Sequence, residues 1–269
     1  YGGSSVAGTV RDNRGTLQAS GGGILDILDP VTDTAGTIAP QAGSTIQVNG
    51  AIDQTLGTTD VDGTLVASSI TLDRSLLKGT GLVDNPVPAT FSTVSPGSST
   101  GTLTIDGATT LGTGTSLAIE VNATADHDVL AVTTGPLLIS GATLRLDYLG
   151  GPTDVLPGDT LTIVTAAGGV TNEFINIADG ERLYTANGVA SFIVNHLPNS
   201  ITLTDFIYNT AGPPNQPPVF TAFVENLSVD ENTPVGTLLT TFAAYDPEGV
   251  PIEFTLNDPN APFEIDLLN

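Results

Sequence analysis

The chain has 269 residues, of which 39% are hydrophobic, 13% charged and 5% aromatic, and it contains 31 Gly, 18 Pro and no Cys, Met or Trp. Lys and Arg total 6 against 29 Asp and Glu, and the resulting formal net charge of −23 argues against nucleic-acid binding and membrane insertion. The absence of Cys excludes zinc–thiolate sites, thiol nucleophiles and disulfides, and no basic and apolar leader is present, so we interpret Tyr1 as a processed end.

A short β pattern recurs from residue 15 to about residue 207. Each copy has Gly, then Thr or Ser, then apolar residues alternating with polar ones, and then a turn. In one copy Leu117, Ile119 and Val121 are expected to face a core, while Glu120 and Asn122 face outward. The copies are GTLQAS (15–20), STIQVNG (44–50), GTLVAS (63–68), GTLTIDG (101–107), TSLAIEVN (115–122), GATLRLDY (141–148) and GDTLTIVT (158–165).

These repeats predict an all-β fold, because helical periodicity is nearly absent and Gly or Asn-Gly interrupts most segments. Self-similarity favours a right-handed parallel β-helix, or solenoid, since each short unit exposes an apolar face that a stacked neighbour can cover. The irregular spacing of the repeats leaves a β-sandwich as the alternative.

Proline marks a boundary after the repeats. The segment NTAGPPNQPPVF (209–220) carries four prolines, which favour an extended and semi-rigid linker. We therefore predict a β-helical domain with a C-terminal cap over 1–207, a proline-rich linker over 208–219 and a further β segment over 220–269. The last segment is shorter than a complete β-sandwich domain.

Five motifs follow one another within the range from Leu77 to Ile177: TVSPGSSTGTLTIDG (93–107), LGTGTSLAIEVN (111–122), DVLAVTTG (128–135), GATLRLDYLGG (141–151) and PGDTLTIVTAAGGVTNEF (157–174). In this order they resemble the C-terminal part of the parallel β-helix of autotransporter passenger domains and related bacterial surface proteins. The resemblance implies that Pro96 and Gly97 form a turn between coils. It also implies that Asp128 caps a strand and that His127 faces water.

The final segment carries NQPPVF (215–220), VDENTPVGTLL (229–239) and AAYDPEGVPIEFTL (243–256), and these motifs resemble the beginning of a cadherin-like repeat. Cadherin repeats hold calcium with carboxylates at the junctions between repeats, and Ca²⁺ requires several oxygen ligands. The resemblance therefore implies an incomplete calcium site with Glu231, Asp246 and Glu248 as ligands and with Asn215 in the linker as a weaker candidate.

Catalytic chemistry has few candidates in this sequence. Parallel β-helices can carry polysaccharide lyases or hydrolases, which need nearby carboxylates, and Asp106, Glu120 and Asp147 project outward from predicted strands. Few aromatic rings, with Tyr148 and Tyr184 among them, are available to stack on sugars. His127 and His196 are interpreted as turn and strand-end residues rather than as catalytic or metal-binding groups.

The sequence thus favours a non-enzymatic protein of the cell surface or extracellular space, a β-helical stalk segment linked to a cadherin-like module. Its expected partners are surface glycans, other surface proteins or copies of itself, and no catalytic residue or cofactor other than calcium is expected. A polysaccharide-active enzyme and a calcium-dependent adhesion module are the two alternatives.

Overall fold

The computed structural model describes residues 5–8, 12–209, 219–222, 234 and 243–245. The chain divides into two compact units, Tyr1–Gly212 and Pro213–Asn269. All regular structure in the described residues is β, as the repeats predict. The described part of the chain contains no helix that could cross a membrane.

The strands are short and follow one another at close intervals. The first fifteen are β1 Ser5–Gly8, β2 Asp12–Asn13, β3 Thr16–Ala19, β4 Ile24–Ile27, β5 Val31–Thr34, β6 Thr37–Pro40, β7 Thr45–Val48, β8 Ala51–Thr55, β9 Thr58–Asp60, β10 Thr64–Val66, β11 Ser69–Asp73, β12 Leu76–Gly79, β13 Leu82–Asp84, β14 Val87–Thr90 and β15 Thr93–Pro96. The others are β16 Thr102–Ile105, β17 Thr109–Leu111, β18 Ser116–Ala123, β19 Asp126–His127, β20 Val129–Val132, β21 Leu137–Ile139, β22 Thr143–Tyr148, β23 Leu161–Ala166, β24 Val170–Thr171, β25 Arg182–Tyr184, β26 Ala190–Leu197, β27 Ser200–Tyr208, β28 Val219–Ala222 and β29 Ala243–Tyr245.

Three parallel sheets wind these strands into a β-solenoid. Sheet A stacks β1, β4, β7, β10, β13, β16, β20 and β23; sheet B stacks β2, β5, β8, β11, β14, β17, β21 and β24; sheet C stacks β3, β6, β9, β12, β15 and β18, with β22 beside β18. One strand from each sheet in turn makes one coil, and each strand pairs with its counterpart in the next coil. The prediction of a stacked solenoid is therefore confirmed, and the alternative of a sandwich is wrong for this unit.

Apolar ladders fill the interior of the solenoid. On sheet A, Ile46 pairs with Leu65, Leu65 with Val83 and Val83 with Ile105, and all four side chains are fully buried. Leu117, Ile119 and Val121 are also fully buried, which confirms the orientation predicted for that strand. Because a strand alternates its side chains between two faces, one apolar row per strand is enough to build a continuous core.

The corner between sheets B and C repeats an unusual backbone geometry. Ala35, Leu56, Arg74 and Phe91 have positive φ values of 58°, 59°, 50° and 49°. Each donates its N–H to a carbonyl oxygen of the following coil, which fixes the corner against its neighbour. The left-handed backbone conformation is costly for residues other than Gly, so the stacking of the coils must stabilise it.

Hydroxyl groups satisfy the backbone on the inner side of the same corner. The N–H of Gly57 donates to Ser75 Oγ at 3.3 Å, and the N–H of Ser75 donates to Ser92 Oγ at 3.0 Å. Ser75 and Ser92 are 5% and 3% exposed, so these bonds replace water for buried donors. Small hydroxyl residues thus recur at this corner for a physical reason.

The segment from Thr93 to Gly107 lies at a step from one coil to the next. Strand β15 ends at Pro96, Gly97 has a φ of 89°, and β16 begins at Thr102 with Leu103 and Ile105 fully buried. The change of direction comes slightly later than predicted, because Pro96 still belongs to β15, Gly97 forms a β-bridge with Gly79, and the chain bends over residues 98–100. A Cβ at residue 97 would lie 2.7 Å from an oxygen of the Asp128 side chain, so glycine also makes room for that carboxylate.

Antiparallel strands follow the last parallel strand of sheet A. Strand β23 pairs with β27, which pairs with β26, and β26 pairs with β25. Tyr148 packs against Phe206 with a centroid distance of 5.1 Å, and Phe206 packs against Phe192 at 5.2 Å. Tyr148 is only 2% exposed, so it belongs to this aromatic cluster and offers no stacking surface for a sugar.

The second unit is described only in part. Strand β28 pairs antiparallel with β29, joining Phe220 to Ala244. The predicted linker over 208–219 begins within β27, which runs to Tyr208, and residues 210–218 lie outside the described residues.

Candidate functional site

Two of the three predicted carboxylates meet on sheet C. Glu120 of β18 and Asp147 of β22 are register partners and both are half-buried on the outward face. Arg145 Nη2 lies 2.9 Å from Asp147 Oδ2, so one of the two carboxylates already has a cationic partner. Neighbouring parallel strands lie about 4.8 Å apart, which is close to the spacing of a retaining glycosidase pair.

Asp106 does not join that pair. It follows β16 of sheet A, where its Oδ1 accepts a hydrogen bond from Thr133 Oγ1 at 3.2 Å and another from Thr134 Oγ1. Its carboxylate thus joins one coil to the next through threonine hydroxyls. The predicted set of three carboxylates is therefore divided between two parts of the solenoid.

Asp128 is the most buried carboxylate at the transition between β19 and β20. Asp128 is 0% exposed. Its two carboxyl oxygens accept hydrogen bonds from the N–H groups of Gly101 at 2.9 Å and Glu120 at 2.8 Å. The prediction that Asp128 caps a strand is confirmed at Gly101, the residue before β16, whereas Glu120 lies within β18. Burial raises the pKa of Asp128 to about 7, and the two backbone donors and the charges of Glu120 and Asp126 act on it more weakly.

His127 occupies a different environment from the one expected. Its ring is half-buried, and Nε2 lies 3.2 Å from the carbonyl oxygen of Thr162 on the neighbouring strand of sheet A. The prediction that His127 faces water is wrong, because the antiparallel pairing of β19 with β18 turns the ring toward β23. The bond to Thr162 supports a role in positioning the turn.

His196 lies at the end of β26, as predicted, beside a shallow cleft of about 290 Å³ lined by Val170, Asn172, Glu173, His196, Leu197 and Pro198. Phe174 packs edge-on against its ring at 5.7 Å. Burial lowers the pKa of His196, against the opposing effects of Glu173 and Asp179. The ring is therefore neutral at pH 7 and serves as part of the packing.

The predicted calcium ligands Asn215, Glu231, Asp246 and Glu248 lie outside the described residues, so calcium binding stays a prediction. Within the residues that the structure describes, no group of three His, Asp or Glu side chains could hold a metal ion.

A cluster of polar side chains inside the first coils escaped the sequence analysis. Asn13, Asp33, Gln54 and Thr59 are 6%, 0%, 1% and 0% exposed, and we call them the interior polar cluster. Asn13 and Asp33 are register partners on sheet B, as are Asp33 and Gln54, and the next residue along this row is Leu72. The polar row thus replaces the apolar ladder at one end of the solenoid.

The interior polar cluster is fully connected by hydrogen bonds. Asn13 Nδ2 donates to Asp33 Oδ1 at 2.5 Å, Gln54 Nε2 donates to Asp33 Oδ2 at 2.5 Å, and Thr59 Oγ1 donates to Gln54 Oε1 at 2.9 Å. Burial raises the pKa of Asp33, although the two amide donors act in the opposite direction. A buried polar group costs little only when it is paired in this way.

Glycines make the space for this cluster. A Cβ at Gly36 would collide with Asp33 Oδ1, and a Cβ at Gly57 would lie 2.7 Å from Asp33 Oδ2. Both glycines follow the left-handed corner residues Ala35 and Leu56, so the corner geometry and the polar cluster depend on the same two coils.

Comparison with known proteins finds no matching family model and no matching curated protein.

Proposed function

We propose that the chain is a non-enzymatic structural segment of an extracellular or cell-surface protein, with the solenoid acting as a stalk. The observation that carries the proposal is the unbroken parallel register through the stack. Register shifts in the described strands occur in antiparallel pairs, between β18 and β19, β23 and β27, β26 and β27, and β28 and β29. Continuous backbone hydrogen bonding between coils gives such a stack stiffness.

The outward face of sheet C supports the same role. The row formed by the first residues of its strands consists mainly of short hydroxyl side chains in register: Thr16, Thr37, Thr58, Leu76, Thr93, Ser116 and Thr143. Threonine suits a solvated strand because it is β-branched and polar. The net charge of −23 adds solubility and resistance to non-specific association.

Finer features belong to the same proposal. Strands β25 to β27 and their aromatic cluster would cap the stack, which protects the last parallel strand from pairing with another chain. The autotransporter-like and cadherin-like resemblances support export to the cell surface, where surface glycans, other surface proteins or copies of the chain would be partners.

Incubation of the full chain with a panel of acidic and neutral polysaccharides tests this proposal. We expect no release of new reducing ends or unsaturated sugars by the wild-type protein, since Asp147 is paired with Arg145. The proposal would be overturned by depolymerisation that Glu120→Gln abolishes and Asp106→Asn, at the distant carboxylate, leaves intact. That result would favour the polysaccharide-active enzyme.

A further inference from the structure

Gln54 and Thr59 face each other inside the corner between sheets B and C. Gln54 lies on β8 and Thr59 on β9 of the same coil, and their contact joins a hydroxyl to a carboxamide at 2.9 Å. Since a C=O bond is about 1.23 Å long, the carboxamide carbon lies no more than about 4.1 Å from Thr59 Oγ1. A small rotation of the Gln54 side chain therefore brings the hydroxyl oxygen to its carbon.

The third member of the contact is Asp33, which lies beside the amide nitrogen of Gln54. Asp33 Oδ2 is 2.5 Å from Gln54 Nε2, the nitrogen that an attack by the hydroxyl would expel. Asn13 Nδ2 holds the other carboxyl oxygen at 2.5 Å, so the orientation of Asp33 is fixed from both sides. A nucleophile, an electrophilic carbonyl and a carboxyl group thus stand in sequence in a site that excludes bulk water. The carboxyl group accepts a hydrogen bond from Nε2 in the structure, and the same contact is the path by which a protonated Asp33 would deliver a proton to that nitrogen.

We propose that Thr59 and Gln54 form an intramolecular ester, with loss of ammonia, and that Asp33 is the acid that promotes it. The bond that forms joins Thr59 Oγ1 to the Gln54 side-chain carbonyl carbon, and the bond that breaks joins that carbon to Nε2. The products are a Thr–Gln ester cross-link and one molecule of ammonia.

The protons balance without any further reactant. As Thr59 Oγ1 attacks, its proton passes to Gln54 Oε1, with which it is already hydrogen-bonded. Protonated Asp33 then gives its proton to the departing Nε2, and the carboxylate recovers a proton from the hydroxyl of the tetrahedral intermediate as the carbonyl re-forms. Asp33 ends the reaction as it began, and no oxidation or reduction takes place.

Burial favours both the protonation of Asp33 and the exclusion of water that could compete with Thr59 or hydrolyse the ester. Because burial raises the pKa of Asp33, a larger fraction of this group is protonated than of an exposed aspartate at the same pH. Thr59 is 0% exposed, and water competes poorly as a nucleophile or as a hydrolytic agent at such a position. The ester would close the B–C corner covalently in a chain that has no cysteine for disulfides.

The intact mass of the purified, denatured full chain tests the proposal without any variant. We expect a mass lower than that of the sequence by one ammonia. Trypsin should leave residues 15–74 as one peptide, because no Lys or Arg lies between Arg14 and Arg74, and this peptide should carry the whole difference. Its fragmentation spectrum should lack backbone fragments between Gln54 and Thr59, and hydroxylamine should convert Gln54 to a hydroxamate.

Four variants separate the ester from other losses of ammonia and test the role of Asp33. The same peptide contains Asn49-Gly50, which can lose ammonia as a succinimide, so the exposed Asn49→Ala variant is the matched control and should keep the lower mass. Thr59→Ser keeps a hydroxyl and should also keep it, whereas Thr59→Val should show the full sequence mass. Asp33→Asn should slow the loss of ammonia.

The proposal is overturned if the wild-type chain retains its full sequence mass after prolonged incubation in the folded state. That outcome would leave the interior polar cluster as a set of hydrogen bonds. A lower mass that persists in Thr59→Val, or that disappears in Asn49→Ala, would also overturn it. An unchanged rate in Asp33→Asn would overturn the role given to Asp33.

Discussion

Replacing Leu65 by aspartate is expected to unfold the solenoid. Leu65 is fully buried in the middle of the sheet A ladder, between Ile46 and Val83. Loss of a buried leucine costs about 2–5 kcal/mol, and an unpaired carboxylate in its place costs several more, against a total stability of about 5–15 kcal/mol for a typical domain. Far-ultraviolet circular dichroism should show loss of the β signal at 25 °C.

The neighbouring Thr64 provides the matched control for this experiment. It lies on the same strand with its side chain outward and half-buried, so Thr64→Asp adds the same charge without placing it in the core. We expect a change in unfolding free energy within about 0.5 kcal/mol. Equal damage from both variants would contradict the assignment of inward and outward faces.

The second large effect is expected at Asp128. Asp128→Ala removes the acceptor of two backbone N–H groups, from Gly101 and Glu120, and each donor left without a partner costs about 1–3 kcal/mol. Urea unfolding at pH 7 should show this loss of stability.

The same carboxyl predicts a pH dependence with a definite sign. The pKa of Asp128 is about 7 in the folded chain, whereas the ordinary value for an aspartate is 3.8. Between these two pH values the folded chain therefore binds more protons than the unfolded chain does. Its contribution to stability is therefore fully present below about pH 4 and is lost as the pH rises through 7. We expect the wild-type chain to be more stable at pH 5 than at pH 7.5, and Asp128→Asn to flatten that slope.

Asp126 is the control for the pH experiment. Hydrogen bonds from Asn122 and Thr100 lower the pKa of Asp126. Its own contribution to stability is therefore fully present above about pH 4 and is lost only at lower pH, outside the range of the experiment. Asp126→Asn should change the slope between pH 5 and pH 7.5 only slightly, because the charge of Asp126 is the weakest of the effects that raise the pKa of Asp128. An equal slope in the wild type and Asp128→Asn would contradict the raised pKa of Asp128.

The alternation of apolar and polar residues was sufficient to predict the strands and their inner faces. Leu103, Ile105 and Leu117 could be placed correctly because a strand has only two faces and one of them must be apolar. The stacking could also be predicted from repetition, since a single short strand cannot bury its own apolar row.

The grouping of the strands into three sheets could not be predicted from the sequence pattern. Partners in register are separated by variable lengths of chain: Leu72 pairs with Ala89, whereas Leu111 pairs with Ile139. Loop length varies at small cost in free energy, so a solenoid can tolerate this irregularity and hide its period. The left-handed corner at Leu56 and Phe91 was equally hidden, because neither residue type is typical of that conformation.

The interior polar cluster was missed although a signal was present. In the strand Ala51–Thr55, Ile52 faces inward, and the two-residue period therefore places Gln54 inward as well. A polar residue at an inward position is the signal that could have identified it. The hydrogen bond to Thr59 could not be predicted, because it depends on the geometry of the corner.

Disulfide formation between introduced cysteines tests the central claim, the parallel stacking of coils in register, most directly. Thr32 and Asp53 are exposed register partners, and Asp53 is in turn the partner of Thr71. Neighbouring strands lie about 4.8 Å apart, within the Cα range of a disulfide, whereas two coils span about 9.6 Å. Mild oxidation should therefore close the pair in Thr32→Cys with Asp53→Cys and leave both thiols free in Thr32→Cys with Thr71→Cys. Thiol titration measures closure directly, because the chain has no native cysteine. Closure of the second pair but not of the first would contradict the register on which the stalk depends.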